Sequence, residues 1–219
     1  TPVHDADFTT YSDADNLFKD PRLRAAPTGA GCTVAADSSW PGNIDGVPHK
    51  GIALYSPTST DSYAWILPNG GMSGMNVGET WVLSATGRTL TPQSGATNPN
   101  GYARKLVVYV NTGGYKTFTS VALPNANVAT RVAVEFTVPE GTTEVFARAY
   151  HGAMAGEVGW SQIRLTRKSA TPGIDDTAYF WGGKADTAVY DYTWNGGADL
   201  SPSHRRAIID RTPDVLIWK

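Results

Sequence analysis

The sequence predicts an all-β protein, an antiparallel β-sandwich of jelly-roll type followed by a small, aromatic-rich C-terminal module. Gly and Pro number 23 and 14 among 219 residues, and 17% of the residues are charged, against about 25% in an average domain. Short segments rich in Val, Thr and aromatic residues alternate with turn residues, and no window keeps a 3.6-residue apolar period over three turns. This composition argues against a coiled coil, a helical bundle and a disordered chain.

Four segments give the clearest strand signals, and each is closed by Gly, Pro or Asn: 80–86, 105–111, 131–138 and 143–150. In 131–138 every second residue is apolar, which is typical of a half-buried antiparallel strand. In 105–111 the aliphatic row is Leu106, Val108 and Val110, so Tyr109 and Asn111 lie on the opposite face. The same alternation in 143–150 places Arg148 and Tyr150 opposite three small apolar residues.

Weaker signals bring the total to about eight strands: 51–55, 62–67, 117–123 and 159–166. Turn residues such as those at 68–71 and 139–141 separate them, and this succession is typical of a sandwich or jelly roll. We expect one short helix over 201–209, with Ser201 as its N-cap and Pro202 at the first helical position.

Composition divides the chain into four parts: a linker or N-terminal extension (1–15), the sandwich (16–167), a second linker (168–177) and the C-terminal module (178–219). The last part is too short to hold a large core alone, so we expect it to pack on the sandwich or on a neighbouring chain. Because no initial Met and no signal peptide are present, we expect the chain to be a fragment or a processed product.

Charge and cysteine content exclude several classes of protein. The net charge is −2, which gives no electrostatic basis for binding nucleic acid or an anionic membrane. No apolar run approaches the roughly 20 residues of a membrane helix. Cys32 is the single cysteine, so an intramolecular disulfide is impossible, and we expect a small buried apolar residue rather than a reactive thiol.

The usual catalytic motifs are absent, and the sequence predicts a protein that is not an enzyme. Nucleophile-elbow, phosphate-loop, dinucleotide-binding and metal-ligand spacings do not occur, so no cofactor or metal is expected. The two carboxylates of a glycosidase come from distant strands, so spacing leaves that alternative open. The pair that we would test is His151 with Glu157, in the loop before Trp160.

Aromatic residues exceed what the core needs, since the chain has seven Trp and ten Tyr beside many Val. A ring next to amide or guanidinium donors suits a sugar, because the ring stacks on the apolar face of a pyranose while the donors bind its hydroxyls. Single-stranded nucleic acid also stacks on rings, but the chain has no basic excess. The predicted glycan-binding residues are Trp40, Tyr63, Trp65, Tyr109, Asn111, Arg148 and Tyr150.

Three segments resemble motifs of carbohydrate-binding-module β-sandwiches. Residues 16–23 (Asn-Leu-Phe-Lys-Asp-Pro-Arg-Leu) resemble the opening motif, 78–84 a central strand and 159–166 the closing strand, in the right order. The resemblance covers about 16–167 and implies a jelly roll of two antiparallel sheets. In such modules a Glu and an Asp commonly help to hold calcium. The matching positions are Arg24, or its neighbour, and Gln162, so calcium is not expected here.

The C-terminal aromatic motif resembles a module of minor tail proteins from phages of actinobacteria. Its parts are Tyr-Phe-Trp-Gly-Gly at 179–183, Tyr-Asp-Tyr-Thr-Trp-Asn-Gly at 190–196 and Ser-Pro-Ser at 201–203, and the apolar stretch 215–218 fits a strand near the chain end. The family usually has Asp where this chain has Trp181. We interpret these aromatic residues as the core of the module.

Together the two resemblances imply a fragment of a phage minor tail protein, located in the virion, that binds host cell-wall or capsular glycan without cleaving it. Other tail proteins and further copies of the chain, as a homotrimer, are the expected partners, and avidity from repeated weak sites would support adhesion. One alternative is a structural assembly or spacer module whose aromatic residues are buried between subunits. The other is a cell-wall hydrolase, which Glu157→Gln would inactivate.

Overall fold

The fold is all-β and antiparallel, as the sequence predicts. The computed structural model describes residues 14–16, 18, 27–44, 47–56, 61–67, 74–94, 101–153, 155–170, 174–180, 182, 184, 186, 190–196, 198 and 203–207. Every regular element in this part of the chain is a β-strand, and every strand pair is antiparallel. Among these residues there is no helix long and apolar enough to span a bilayer.

Thirteen strands lie within the described ranges. In chain order they are β1 (Ala14–Asn16), β2 (Gly29–Ala30), β3 (Thr33–Ile44), β4 (Val47–Ser56), β5 (Tyr63–Leu67), β6 (Thr80–Ser94), β7 (Leu106–Asn111), β8 (Tyr115–Thr119), β9 (Thr130–Thr137), β10 (Glu144–Tyr150), β11 (Ala155–Arg167), β12 (Tyr190–Trp194) and β13 (Ser203–Ala207). A five-stranded front sheet has the order β2-β5-β10-β7-β8, and a five-stranded back sheet has the order β3-β4-β11-β6-β9. A small sheet has the order β1-β13-β12.

The main core lies between the front and back sheets. The aliphatic row Leu106, Val108 and Val110 of β7 is buried there, as the alternation of 105–111 predicts. Trp160 of β11 is fully buried in the same core, and its Nε1 donates to the Tyr150 carbonyl of β10 at 3.3 Å. This side chain therefore links the two sheets directly.

The four clearest predicted strands are present as β6, β7, β9 and β10, and β6 continues to Ser94. The prediction over 117–123 is shifted, because β8 ends at Thr119. Sequence analysis missed β3, whose residues 37–42 read Asp-Ser-Ser-Trp-Pro-Gly and indicate a turn. These residues form an irregularity in the pairing with β4, where the register shifts between Asp37 and Pro41.

The predicted helix over 201–209 is wrong, because its described residues form β13. Ser203 and Arg205 are buried, whereas His204 is half-buried and Arg206 is exposed, so burial follows the two-residue period of a strand. β13 pairs with β1 on one side and β12 on the other. Pairing with these distant segments outweighs the local capping signal.

The small sheet is connected to the back sheet through buried polar side chains. Asn16 Nδ2 donates to the carbonyls of Ile163 and Phe180, both at 3.3 Å. Arg164 is fully buried and donates to the Ala178 carbonyl at 2.7 Å. Burial, together with repulsion from Arg205, lowers the pKa of Arg164 to about 9. Side chains of β1 and β11 thus hold the first residues of the predicted C-terminal module, Ala178 and Phe180.

The position where the resemblance would place a calcium carboxylate is bonded within the protein. Gln162 Oε1 accepts from the Thr86 hydroxyl at 2.6 Å, and the Gln162 carbonyl accepts from Arg131. Arg131 also donates to the Thr177 carbonyl at 2.9 Å, and burial lowers its pKa to about 10. The domain boundaries stay a prediction, and residues 1–13, Arg24, Trp181 and 215–218 lie outside the described residues.

Cys32 is half-buried, and its Sγ donates to the Tyr63 carbonyl at 3.8 Å. Burial raises the pKa of this thiol to about 11. Because the thiolate is the nucleophile, we expect iodoacetamide to alkylate Cys32 at pH 8 about 100-fold more slowly in the folded chain than in urea. Timed alkylation followed by mass spectrometry measures both rates, and equal rates would contradict the assignment of an unreactive thiol.

Candidate functional site

The outward side of the front sheet carries a continuous group of rings around one arginine. β5, β10 and β7 are neighbours in this sheet, and alternate residues of each strand point away from the core. We call this group the aromatic face, and its residues are Tyr63, Trp65, Tyr109, Phe146, Arg148 and Tyr150. The intervening residues, such as Ala64 and Ala147, are buried in the main core.

The rings of the aromatic face pack on one another. Tyr109 stacks on Phe146 with centroids 4.5 Å apart and planes 14° apart. Tyr63 lies edge-on to Trp65 at 5.4 Å, and it contacts Tyr150 at 5.2 Å. Tyr150 is 1% exposed, whereas Tyr63 and Trp65 are half-buried. The face therefore has a rigid floor, and two rings remain partly open to a ligand.

Hydroxyl groups within the aromatic face are bonded to one another. The hydroxyls of Tyr109 and Tyr150 are 2.7 Å apart, and Arg148 Nη1 donates to the Tyr150 hydroxyl at 3.2 Å. Burial raises the pKa of both tyrosines, although the hydrogen bonds of Tyr109 oppose that shift. Both phenols consequently stay protonated at neutral pH and act as neutral hydrogen-bonding groups.

Arg148 lies over the two partly open rings. Its Cζ is 4.0 Å from the ring centroid of Tyr63 and 4.2 Å from that of Trp65, which is cation–π distance. Burial acts to lower the pKa of Arg148, but the hydrogen bond to Tyr150 and the neighbouring phenols outweigh it, so the pKa is raised. The site thus holds a permanent positive charge.

Polar groups border the aromatic face at the β7–β8 end. Tyr115 is 58% exposed, and its hydroxyl donates to Glu144 at 3.0 Å. Asn111 lies opposite both residues in the strand pairing, and its Oδ1 accepts from the Gly113 amide at 3.1 Å. These amide, carboxylate and hydroxyl groups are of the type that binds sugar hydroxyls.

The structure brings six of the seven predicted site residues to the front sheet and places Trp40 elsewhere. Trp40 belongs to β3 of the back sheet, where Arg88 Cζ lies 4.6 Å from its ring centroid. A Cβ added at Gly159 would lie 3.5 Å from the Trp40 ring. The neighbours of Gly159 in β11, Val158 and Trp160, face the main core, so the added Cβ lies on the outer side of the back sheet. Trp40 therefore lies on that outer side, away from the aromatic face.

The candidate acid–base pair is not assembled. His151 is fully buried, and its ring nitrogens lie 2.9 Å from the Gly156 carbonyl and 3.0 Å from the Gly152 carbonyl. No hydrogen bond or ion pair joins this His to Glu157, although both residues are described. In the described ranges, no cluster of three or more His, Cys, Asp or Glu side chains could hold a metal ion.

Sequence analysis missed several contributors to the site. Phe146 forms part of its floor, Tyr102 packs against Tyr150 at 5.3 Å, and Tyr115 with Glu144 forms its border. The signal for Phe146 was available, because it shares a strand face with Arg148. Tyr102 lies outside any strand, so no periodicity could have placed it.

Comparison with solved structures finds similar β-sandwiches at low identity. No protein-family model matches the chain, and no curated protein sequence matches it. The modules of the N-terminal endo-1,4-β-D-xylanase 10B of Clostridium thermocellum, complexed with xylohexaose, are 12% identical with a TM-score of 0.46, over 71% of this chain and 28% of that chain. A family 16 carbohydrate-binding module is 15% identical with a TM-score of 0.45, over 65% of this chain and 91% of that one.

A phage protein is among the similar structures. The enzymatically active domain of tailspike protein 4 from bacteriophage CBA120 is 12% identical with a TM-score of 0.43, over 64% of this chain and 19% of that chain. The chain therefore spans less than a third of the xylanase and tailspike chains. At this level of similarity the comparisons specify neither a family nor a ligand for this chain.

Proposed function

We propose that this chain binds a glycan through the aromatic face and does not cleave it. The observation that carries the proposal is the group of rings on the outward side of the front sheet, around Arg148. The main core is filled by the opposite faces of the same strands. The rings form a second, smaller apolar cluster, in which Tyr109, Phe146 and Tyr150 are buried and only Tyr63 and Trp65 are half-buried. The small sheet is fastened to β11, which belongs to the back sheet and not to the sheet that carries these rings.

The chemistry of the aromatic face fits a sugar. The half-buried rings of Tyr63 and Trp65 offer apolar surface for the C–H face of a pyranose, and Asn111 offers a side-chain amide at the border. Hydrolysis of a glycosidic bond needs two carboxyl groups on either side of that bond. None of the six residues of the aromatic face carries one, which supports binding without catalysis.

The biological setting that we propose is the virion of a phage, with the chain as part of a minor tail protein that attaches to the host surface. The aromatic motif over 179–203 supports it, through its resemblance to the C-terminal module of such proteins. Repeated copies at a tail tip would convert weak sugar binding into stable attachment by raising the effective concentration. Host cell-wall or capsular glycan is the proposed ligand, and other tail proteins and two further copies of the chain are the proposed partners.

Binding to isolated walls tests the proposal, with a matched pair of tryptophan variants. We expect the purified chain to bind actinobacterial walls saturably. Stacking of a nucleobase on one aromatic ring is worth about 1–3 kcal/mol, and with that value for a sugar we expect Trp65→Ala to weaken binding about 5- to 150-fold. Trp40→Ala removes the same side chain from the back sheet and is expected to change the affinity less than about twofold.

Four results would contradict the proposal or a part of it. If the folded chain binds neither walls nor soluble wall glycan, glycan binding is wrong. If Trp65→Ala also converts an oligomer into a monomer in sedimentation, the assembly module becomes the better account. If Trp40→Ala abolishes binding while Trp65→Ala does not, the site lies on the back sheet. Release of soluble sugar from walls during the assay would contradict the absence of catalysis.

A further inference from the structure

Arg148 is enclosed by four rings and lies at the centre of the aromatic face. Besides Tyr63 and Trp65, its Cζ lies 4.8 Å from the Tyr109 centroid and 5.2 Å from the Phe146 centroid. The rings cover the faces of the guanidinium and exclude water from them. The N–H groups lie in the plane of the guanidinium, so hydrogen bonds form only at its edges. The side chain as a whole is half-buried, so part of it reaches the surface.

The hydrogen bonds of this guanidinium are incomplete. Nη1 donates to the Tyr150 hydroxyl, whereas Nε is buried without a partner among the described residues. A guanidinium has five N–H donors, and a desolvated charged donor without an acceptor is costly. Because Nε is enclosed, a ligand can reach this half-buried side chain only at its terminal Nη nitrogens, whose N–H groups can bind one acceptor group.

The charge of Arg148 also lacks a carboxylate partner in the described part of the chain. Other arginines have one: Arg167 pairs with Glu79 at 2.9 Å, and Arg206 pairs with Asp191 at 2.6 Å. The carboxylate on its own strand, Glu144, is instead bonded to Tyr115 at the border of the aromatic face. A fixed positive charge at the centre of a sugar-stacking surface is thus available to an anionic group of the ligand.

We propose that the glycan bound by the aromatic face is acidic and that a carboxylate of a uronic acid, or of a similarly acidic sugar, accepts hydrogen bonds from Arg148. This inference rests on the proposed function and specifies its ligand. Arg148 would select the ligand, because a neutral sugar at this position leaves the guanidinium unpaired. Arginine suits the role better than lysine, since its planar edge matches the two oxygens of a carboxylate.

Carboxyl reduction provides the test, because it converts a uronic acid into the neutral sugar and leaves the rest of the polymer intact. The probes are the isolated wall glycan, polygalacturonate and hyaluronan, each beside its carboxyl-reduced form, titrated into the full chain by calorimetry. We expect at least one acidic form to bind about 10- to 100-fold more tightly than its reduced form, the range for a hydrogen bond to a charged group.

Arg148→Met keeps an apolar stem over the rings, and we expect it to bind the acidic and reduced forms with equal, weakened affinity. Arg148→Lys keeps the charge without the planar edge and is expected to restore part of the preference. Equal binding of both forms by the unmodified chain, or binding only to neutral glycans, would overturn the acidic specificity and leave glycan binding intact. Failure to bind any form, acidic or neutral, would instead overturn the proposed function.

Discussion

Replacing Trp160 with alanine is expected to lower the free energy of unfolding by about 3–5 kcal/mol, the range measured for large aromatic truncations in cores. Trp160 is fully buried between the front and back sheets. A Cβ added at Gly87 would lie 2.5 Å from Leu123 and 2.8 Å from the Trp160 ring, so the space around the ring is already filled. Its removal leaves a cavity bordered by both sheets and deprives the Tyr150 carbonyl of a donor.

Urea denaturation of the full chain measures this loss, and Trp65→Ala is the matched control. Trp65 is half-buried on the aromatic face, so its removal is expected to cost about 1–2 kcal/mol. The two variants should separate stability from binding: Trp160→Ala is the less stable one, and Trp65→Ala is the one that loses the glycan. Equal stability losses would contradict the assignment of Trp65 to a partly open surface.

The aromatic face could be predicted in part because it follows from a two-residue period. In β7 and β10 the aliphatic row identifies the core side, so the orientation of Tyr109, Arg148 and Tyr150 follows from sequence alone. That β7 and β10 are neighbours does not follow from sequence. Asn111 at the end of β7 and Thr143 just before β10 are 32 positions apart in the chain, although they are hydrogen-bonded. Sequence analysis therefore predicted correctly which side chains of β7 and β10 share a face. That these two strands pair is known only from the fold.

The strand around Trp40 and the strand β13 could not be predicted from local sequence patterns. The residues around Trp40 indicate a turn, and only pairing with β4 makes them part of a strand and assigns them to the back sheet. Ser203 similarly begins a segment with a capping signature, which pairing with β1 and β12 outweighs. The strand around Trp40 depends on an irregular register with β4, and β13 depends on pairing with segments that include the distant β1. Neither kind of contact produces a periodic pattern in the sequence.

That Arg148 has no carboxylate partner among the described residues could not be predicted either. Sequence analysis identified Arg148 as a donor beside rings, but the alternation of a strand does not indicate whether a carboxylate of the chain pairs with it. The structure instead encloses it among four rings and bonds Glu144 to Tyr115. Side-chain pairing across neighbouring strands therefore decides whether a charge is available to a ligand.

Replacing Asn16 with alanine is expected to cost about 3 kcal/mol, because buried backbone groups would lose their partners. β4 pairs with β11 only as far as Trp160. Beyond that point Asn16 substitutes for the missing strand: its Oδ1 accepts from the Leu165 amide at 3.0 Å, and its Nδ2 donates to the Ile163 carbonyl at 3.3 Å. The side chain is fully buried, so water cannot replace these bonds.

The same variant tests whether the C-terminal module is an independent unit. Asn16 lies in β1 of the small sheet and bonds both β11 and the Phe180 carbonyl, so its loss weakens the contact between the small sheet and the sandwich. Because the small sheet cannot hold a large core alone, we expect one cooperative unfolding transition at lower urea, while Asn127→Ala, an exposed control, changes stability by less than about 0.5 kcal/mol. Two separate transitions, with only one of them shifted, would mean that the module folds on its own and that Asn16 supports a single sheet.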